Sequence, residues 1–185
     1  HKEYRRQRQM CIRDRYRHRT NQEKMLSKHE GREVFGLEDN LFVIIGVGRL
    51  NPIKKFDLLL EAFAKVHQVQ SESILIIAGD GEEKDRLIHL AKKLGVEKSV
   101  RFLGNIADVT KLYCAADVLA VTSDTESSSL VAIEAQACGT RCVLSAGVPK
   151  ESVLLLRTQR LGENATSETW CNALLNDSYK NTAVA

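Results

Sequence analysis

Leu41-Phe42-Val43-Ile44-Ile45-Gly46-Val47 is a continuous apolar run rich in branched side chains. A strand with one face in water alternates apolar and polar residues. A run without alternation belongs to a strand buried on both faces, as in a parallel sheet. Ile74-Leu75-Ile76-Ile77-Ala78 repeats the pattern, and Val100-Arg101-Phe102-Leu103, Val118-Leu119-Ala120-Val121 and Cys142-Val143-Leu144 continue it. Helical spacing fills the intervals. Phe56 to Val69 places Leu59, Leu60, Phe63 and Val66 on one face, Glu82 to Leu94 starts acidic and stops at Gly95, and Asp108 to Ala115 and Leu130 to Cys138 follow. A charged helical stretch over 23–38 precedes the first strand. Strand and helix alternate about every 20–30 residues, which predicts an α/β domain on a parallel sheet. After Lys150 the pattern decays, leaving Trp170 to Leu175 as one more helix and a frayed end.

At 185 residues the chain can bury a full core. No apolar run reaches the length of a membrane span, and no signal peptide is visible at residue 1. The cysteines (Cys11, Cys114, Cys138, Cys142, Cys171) show no metal-ligand spacing and read as small core residues of a reducing compartment. The net charge of +3 hides a division: residues 1–22 carry eight Lys/Arg against two Asp/Glu, whereas the remainder is acidic. The arginines from Arg5 to Arg19 would fit a nucleic-acid arm. However, Met10-Cys11-Ile12-Arg13-Asp14-Arg15 reads as the translation of a sequencing adapter, so residues 1–22 are taken as non-native or as a disordered basic segment, and no nucleic-acid partner is expected.

Ligands of such a sheet bind beyond the carboxyl ends of its strands. After the first strand, Gly48-Arg49-Leu50-Asn51-Pro52-Ile53-Lys54-Lys55 brings two cations, Arg49 and Lys54, a fork and a point charge suited to a diphosphate. Lys55 reads as a solvated loop residue. Gly46-Val47-Gly48 lacks the third glycine of a nicotinamide site. Gly79-Asp80-Gly81 is equally a tight turn, and Gly104-Asn105 offers exposed backbone to a base edge. After the fourth strand come Thr122-Ser123-Asp124-Thr125-Glu126 and then Ser127-Ser128-Ser129. A helix starting near Ser129 presents free N–H groups to an anion. Glu134 is a lone acid in an apolar helix, which requires a partner, either an arginine or a polyhydroxylated ligand. Glu126 and Glu134 would lie about 8–12 Å apart, roughly the span from a sugar to a ribose across a diphosphate. His67 and His89 read as surface histidines, and no Asp-x-Asp pair argues for a metal.

The ordered set Gly48-Arg49-Leu50 with Lys54, Gly79-Asp80-Gly81, Phe102-Leu103-Gly104, Ala116-Asp117-Val118 and Glu126-x7-Glu134 resembles the C-terminal, donor-binding domain of retaining family 4 glycosyltransferases with the GT-B fold. The segment Cys142 to Glu151 is similar to transferases of capsular or exopolysaccharide assembly. The resemblance implies a Rossmann-like parallel sheet flanked by helices, the C-terminal half of a GT-B enzyme. It divides the chain into the segment 1–22, a helical lead-in over 23–40, a nucleotide-sugar-binding domain over 41–151 and a truncated C-terminal helix over 152–185.

It also implies roles. Arg49 and Lys54 would hold the donor diphosphate, Gly79, Gly104 and Asn105 would line the base pocket, backbone N–H groups around Leu130 and Val131 would hold phosphate, and Gly48 and Ser129 would complete the donor-binding set. Glu126 would meet the transferred sugar beside the reacting carbon, and Glu134 the ribose hydroxyls. No metal or other cofactor is implied; the nucleotide sugar, UDP-linked at family level, is the substrate. The expected partners are that donor, a glycan or lipid-linked acceptor and a missing N-terminal acceptor domain, without which the chain should not turn over. The expected location is the cytoplasm, with peripheral association at the inner membrane face. Two departures stand out. Ser127-Ser128-Ser129 replaces a glycine-rich loop, with about 1 kcal/mol of strain expected if φ is positive there, and Lys55 replaces a common Gly or Asn. The alternative function is a non-catalytic nucleotide- or sugar-binding module of the same fold. An epimerase of similar fold has no supporting residues.

Overall fold

The computed structural model describes residues 25–176. The basic segment 1–22 and the last residues, 177–185, lie outside them. Six parallel strands, β1 (Phe42–Val47), β2 (Ser73–Ala78), β3 (Val100–Gly104), β4 (Val118–Val121), β5 (Arg141–Leu144) and β6 (Thr158–Arg160), form one sheet in the order β3-β2-β1-β4-β5-β6. The chain reverses direction across the sheet between β1 and β4, so that junction is its topological switch point. The expected Rossmann-like parallel sheet flanked by helices is present. The sixth strand was not expected from the sequence.

The unbroken apolar strands are explained by cores on both faces. Ile44, Leu75 and Ile77 pack on one side with Leu59, Phe63, Leu87 and Trp170, from α2 (Phe56–Val69), α3 (Lys84–Lys93) and α6 (Ser167–Leu175). Their neighbours Val43, Ile45, Ile74 and Ile76 point to the opposite core, with Leu112, Tyr113, Ala132 and Ala135 from α4 (Thr110–Ala115) and α5 (Leu130–Ala137). At 25 cal/mol per Å² of apolar surface, burying one such side chain stabilises by about 1.5–3 kcal/mol.

The amino edge is clamped by charge. Asp117 of the Ala116-Asp117-Val118 motif accepts from the Val43 amide (2.7 Å) and from the Arg32 guanidinium (2.8 Å). Arg32, only 2% exposed, also donates to the carbonyls of Ala115 and Leu41. It sits in α1 (Lys28–Val34), which opens with a reciprocal Ser27–Glu30 capping box. The motif's acid therefore serves the fold. His67 is half-buried between the hydroxyls of Ser73 and Ser99, at 3.0 and 3.2 Å, and not the surface residue expected.

Lys55 caps α2 with φ of 52°, in the left-handed region that favours glycine or asparagine. A side chain there costs about 1 kcal/mol. Lys55→Gly is expected to raise the unfolding free energy by about 0.5–1 kcal/mol. Urea denaturation tests this, and an unchanged or lower midpoint would count against a strained Lys55.

Candidate functional site

The loops at the carboxyl edge are joined to one another around the switch point. On one flank, Gly48 N donates to Ala78 O (3.0 Å), Leu50 N to Asp80 O (2.9 Å) and Gly79 N to Gly104 O (2.8 Å). Gly48, Gly79 and Gly104 thus share one backbone ledge, with Asn105 exposed beside it. The ledge admits no side chain at Gly79, where φ is +135° and a Cβ would stand 1.9 Å from Gly48 O. Across the switch point, Asp124 N donates to Ile53 O (2.8 Å) and the Thr122 hydroxyl to Lys54 O (2.7 Å). The other flank adds Ser145 Oγ to Ser123 O (2.5 Å) and Glu126 N to Gly147 O (3.0 Å).

Within this rim the Lys54 ammonium meets Glu126 Oε1 at 2.6 Å, and the Ser123 hydroxyl donates to the same oxygen at 2.9 Å. Both charged side chains are largely enclosed, 23% exposed for Lys54 and 14% for Glu126. The pairing offsets the cost of taking either charge out of water. Arg49 lies apart from this pair, 72% exposed and 3.4 Å from Glu82, a weak surface contact.

α5 begins at the same rim. Ser129, its N-cap residue, is 2% exposed, and its hydroxyl has no hydrogen-bond partner among the described residues. At the start of the first turn the Leu130 N–H donates to Ser128 O at 3.1 Å, and the Val131 N–H has no intrahelical acceptor. A buried hydroxyl without a partner costs about 1–3 kcal/mol. The strain expected in the serine run is absent: among the described residues, the non-glycine residues with positive φ are Lys55 and Asn164.

Glu134 is half-buried and accepts from the Tyr113 hydroxyl of α4 at 3.1 Å, a partner the sequence reading did not consider. Thr122, Ser123 and Gly147 were also missed as supports of the rim. The signal for Gly147 was weak, a single glycine before Val148-Pro149. The structure assigns it a reason, because a Cβ there would lie 2.1 Å from Asp124 O. Arg160 of β6 donates to the carbonyls of Val148 (2.8 Å) and Ala146, which brackets Gly147 and through it Glu126. A cavity of about 370 Å³ lies behind these loops, between Thr122, Ser123, Gly147, Asn164 and Trp170. Among the described residues, no cluster of three or more His, Cys, Asp or Glu is placed to hold a metal ion.

Residues 27–169 match the family described as glycosyl transferases group 1. The chain belongs to this family. It is 40% identical over 131 residues to a D-inositol 3-phosphate glycosyltransferase of Mycolicibacterium smegmatis, covering 66% of this chain and 30% of that protein. To the protein of that name from Gordonia bronchialis it is 42% identical over 160 residues, covering 77% and 34%. The chain thus spans about a third of the length of these relatives. Among solved structures, it is similar to WaaG, a glycosyltransferase involved in lipopolysaccharide biosynthesis, with a TM-score of 0.75 at 22% identity over 86% of this chain and 45% of that one. That match concerns the fold alone. Anabaena Alr3699/HepE, solved in complex with UDP and glucose, is similar with a TM-score of 0.70 at 28% identity, covering 80% and 41%. The resemblance read from the motifs therefore holds for family and fold, the sheet being that of GT-B glycosyltransferases. No helix among the described residues is long and apolar enough to cross a membrane.

Proposed function

We propose that this chain is the donor-binding half of a retaining glycosyltransferase, which takes a UDP-linked sugar for transfer to a glycan or lipid-linked acceptor held by an N-terminal half. The observation that carries the reading is the Lys54–Glu126 ion pair at the β1–β4 switch point, beside a helix N-terminus whose buried Ser129 hydroxyl has no partner among the described residues. Relatives named as glycosyltransferases and a similar structure holding UDP and glucose support it.

In this reading the ammonium of Lys54 turns from Glu126 to the diphosphate, and Arg49, whose contact with Glu82 is exposed, swings in beside it. The α5 N-terminus and Ser129 complete the phosphate cradle. Glu126, released from Lys54, accepts hydrogen bonds from the sugar hydroxyls, and Glu134, oriented by Tyr113, from the ribose hydroxyls. The backbone of Gly48, Gly79 and Gly104, with Asn105, borders the base. As the bond from the anomeric carbon to the diphosphate oxygen breaks, the two cations stabilise the departing charge. The acceptor oxygen bonds to the same face of the sugar and its proton passes to the diphosphate. Positioning and charge stabilisation carry this chemistry with no cofactor. The full protein works at the cytoplasmic face of a membrane.

The enclosure of Glu126 against Lys54 favours a second reading, a binding module that recognises only the diphosphate. Calorimetric titration with UDP-glucose and UDP separates the two. Arg49→Ala should weaken both ligands roughly 10- to 100-fold, and Glu126→Ala should weaken UDP-glucose more than UDP. If Glu126→Ala leaves both unchanged while Arg49→Ala removes binding, the module is correct. If neither ligand binds the unaltered chain, both readings fall.

A further inference from the structure

The loop that follows β5 is gripped from β6. Arg160, the last residue of β6, pairs in register with Leu144, and Leu161 N donates to Leu144 O at 2.8 Å. The half-buried Arg160 guanidinium donates through Nε to Val148 O (2.8 Å) and through Nη2 to Ala146 O. Its planar fork thus spans the carbonyls on either side of Gly147. Both bonds have a charged donor, which holds each carbonyl more firmly than a neutral one would. Gly147 lies against the backbone of the β4 loop, where a Cβ would stand 2.1 Å from Asp124 O and 2.5 Å from Ser123 O, and its carbonyl accepts from the Glu126 amide at 3.0 Å. The approach to β6 is fixed in turn by Gln136 of α5, only 3% exposed. Its Nε2 donates to Ser152 O (2.7 Å), and its Oε1 accepts from the Leu154 amide (2.7 Å), the Leu155 amide (3.0 Å) and the Thr158 hydroxyl (2.8 Å). Through β6, the helix that carries Glu134 is therefore tied to the backbone of Glu126.

We propose that Arg160 is a positioning residue: by fixing Gly147 it sets the backbone of Glu126, and so the preference for a UDP-linked sugar over UDP alone. The ligand in this inference rests on the donor-binding reading; the geometry does not. Glu126 has two anchors, its amide on Gly147 O and its carboxylate on the Ser123 hydroxyl and the Lys54 ammonium. Once Lys54 turns to the diphosphate, the carboxylate loses its ammonium, and the amide anchor keeps Glu126 facing the sugar. Arg49 and Lys54 lie on the loop after β1, which meets the β4 loop through Thr122 and Asp124 and not through Gly147. Loss of Arg160 should therefore reach the sugar contact and spare the diphosphate.

The test compares Arg160→Met and Arg160→Lys with the unaltered chain, by calorimetric titration with UDP-glucose and UDP and by amide hydrogen exchange. Arg160→Met should weaken UDP-glucose about 10-fold and UDP by less than about twofold. The Glu126 amide should exchange about 10-fold faster in this variant, while Ile45 and Leu119 in the sheet stay protected. Arg160→Lys keeps a charged donor and should recover most of the UDP-glucose affinity. Adding Glu126→Ala to Arg160→Met should weaken UDP-glucose no further than Glu126→Ala alone. Through-hydrogen-bond NMR couplings in the unaltered chain need no variant to fold. They should link Arg160 Nε to the Val148 carbonyl carbon and Glu126 N to the Gly147 carbonyl carbon. Equal weakening of both ligands, unchanged exchange at Glu126, or absence of either coupling would overturn the proposal. If the unaltered chain binds neither ligand, the donor-binding reading falls alone, and exchange at Glu126 still decides whether Arg160 positions it.

Discussion

Replacing Lys54 with methionine should cost the protein about 1–3 kcal/mol of stability and remove measurable UDP-glucose binding. Methionine keeps the apolar stem, so the loss is that of the charge. Glu126, 14% exposed, would then keep the Ser123 hydroxyl and the surrounding dipoles but no ammonium. Removing one partner of a fully buried pair costs about 3–5 kcal/mol; with 23% of Lys54 exposed, solvent recovers part of that. Adding Glu126→Gln to Lys54→Met should restore most of the stability, because the stranded charge is gone, but none of the binding. Urea denaturation of the two single variants and the double variant forms the cycle. If Lys54→Met is as stable as the unaltered chain, the ion pair is not the centre of the rim.

Gly79→Ala should be more damaging still. The new Cβ would meet Gly48 O at 1.9 Å and Gly48 C at 2.8 Å, with φ at +135°. Both obstacles are backbone on β1's own exit, so no side chain can rotate away. Backbone strain of about 1–2 kcal/mol and overpacking of about 1–3 kcal/mol predict a loss near 3 kcal/mol, and a melting temperature lower by about 6–12 °C. Gly104→Ala is the control. It also has positive φ, +66°, but nothing lies within 4 Å of its Cβ, so about 1 kcal/mol is expected. Equal melting temperatures for the two variants would refute a close ledge at Gly79.

The strands were legible wherever both faces are buried, because continuous apolar runs such as Leu41 to Val47 have no other ready explanation. β6 was not. Thr158-Gln159-Arg160 is a half-exposed strand paired, among the described residues, with β5 alone, and its arginine is used to hold the loop around Gly147. Nothing apolar marks it. The loops singled out from the sequence do lie together at the carboxyl edge, because that edge follows from strand order. It could not show that Lys54 and Glu126, far apart in the chain, meet across the switch point. Residue type suited Lys54 to a diphosphate and the resemblance implied a sugar contact for Glu126, and neither shows their mutual attraction. Glu134 illustrates the same limit: its cost as an acid among apolar residues was legible, whereas nothing in the helix from Asp108 to Ala115 marked the Tyr113 hydroxyl as its partner. Strain in the serine run was expected only if that loop took positive φ, as a glycine-rich loop can, and the chain follows it without positive φ.

In the proposed function the carboxyl rim at the β1–β4 switch point receives a nucleotide sugar. The most direct measurement is an amide NMR titration of the intact chain with UDP-glucose. Saturable shifts should concentrate at Gly48, Gly79, Gly104, Asn105, Glu126, Leu130 and Val131, and little should move at the amino edge around Asp117 and Arg141. Shifts confined to the amino edge, or none at millimolar ligand, would contradict the claim.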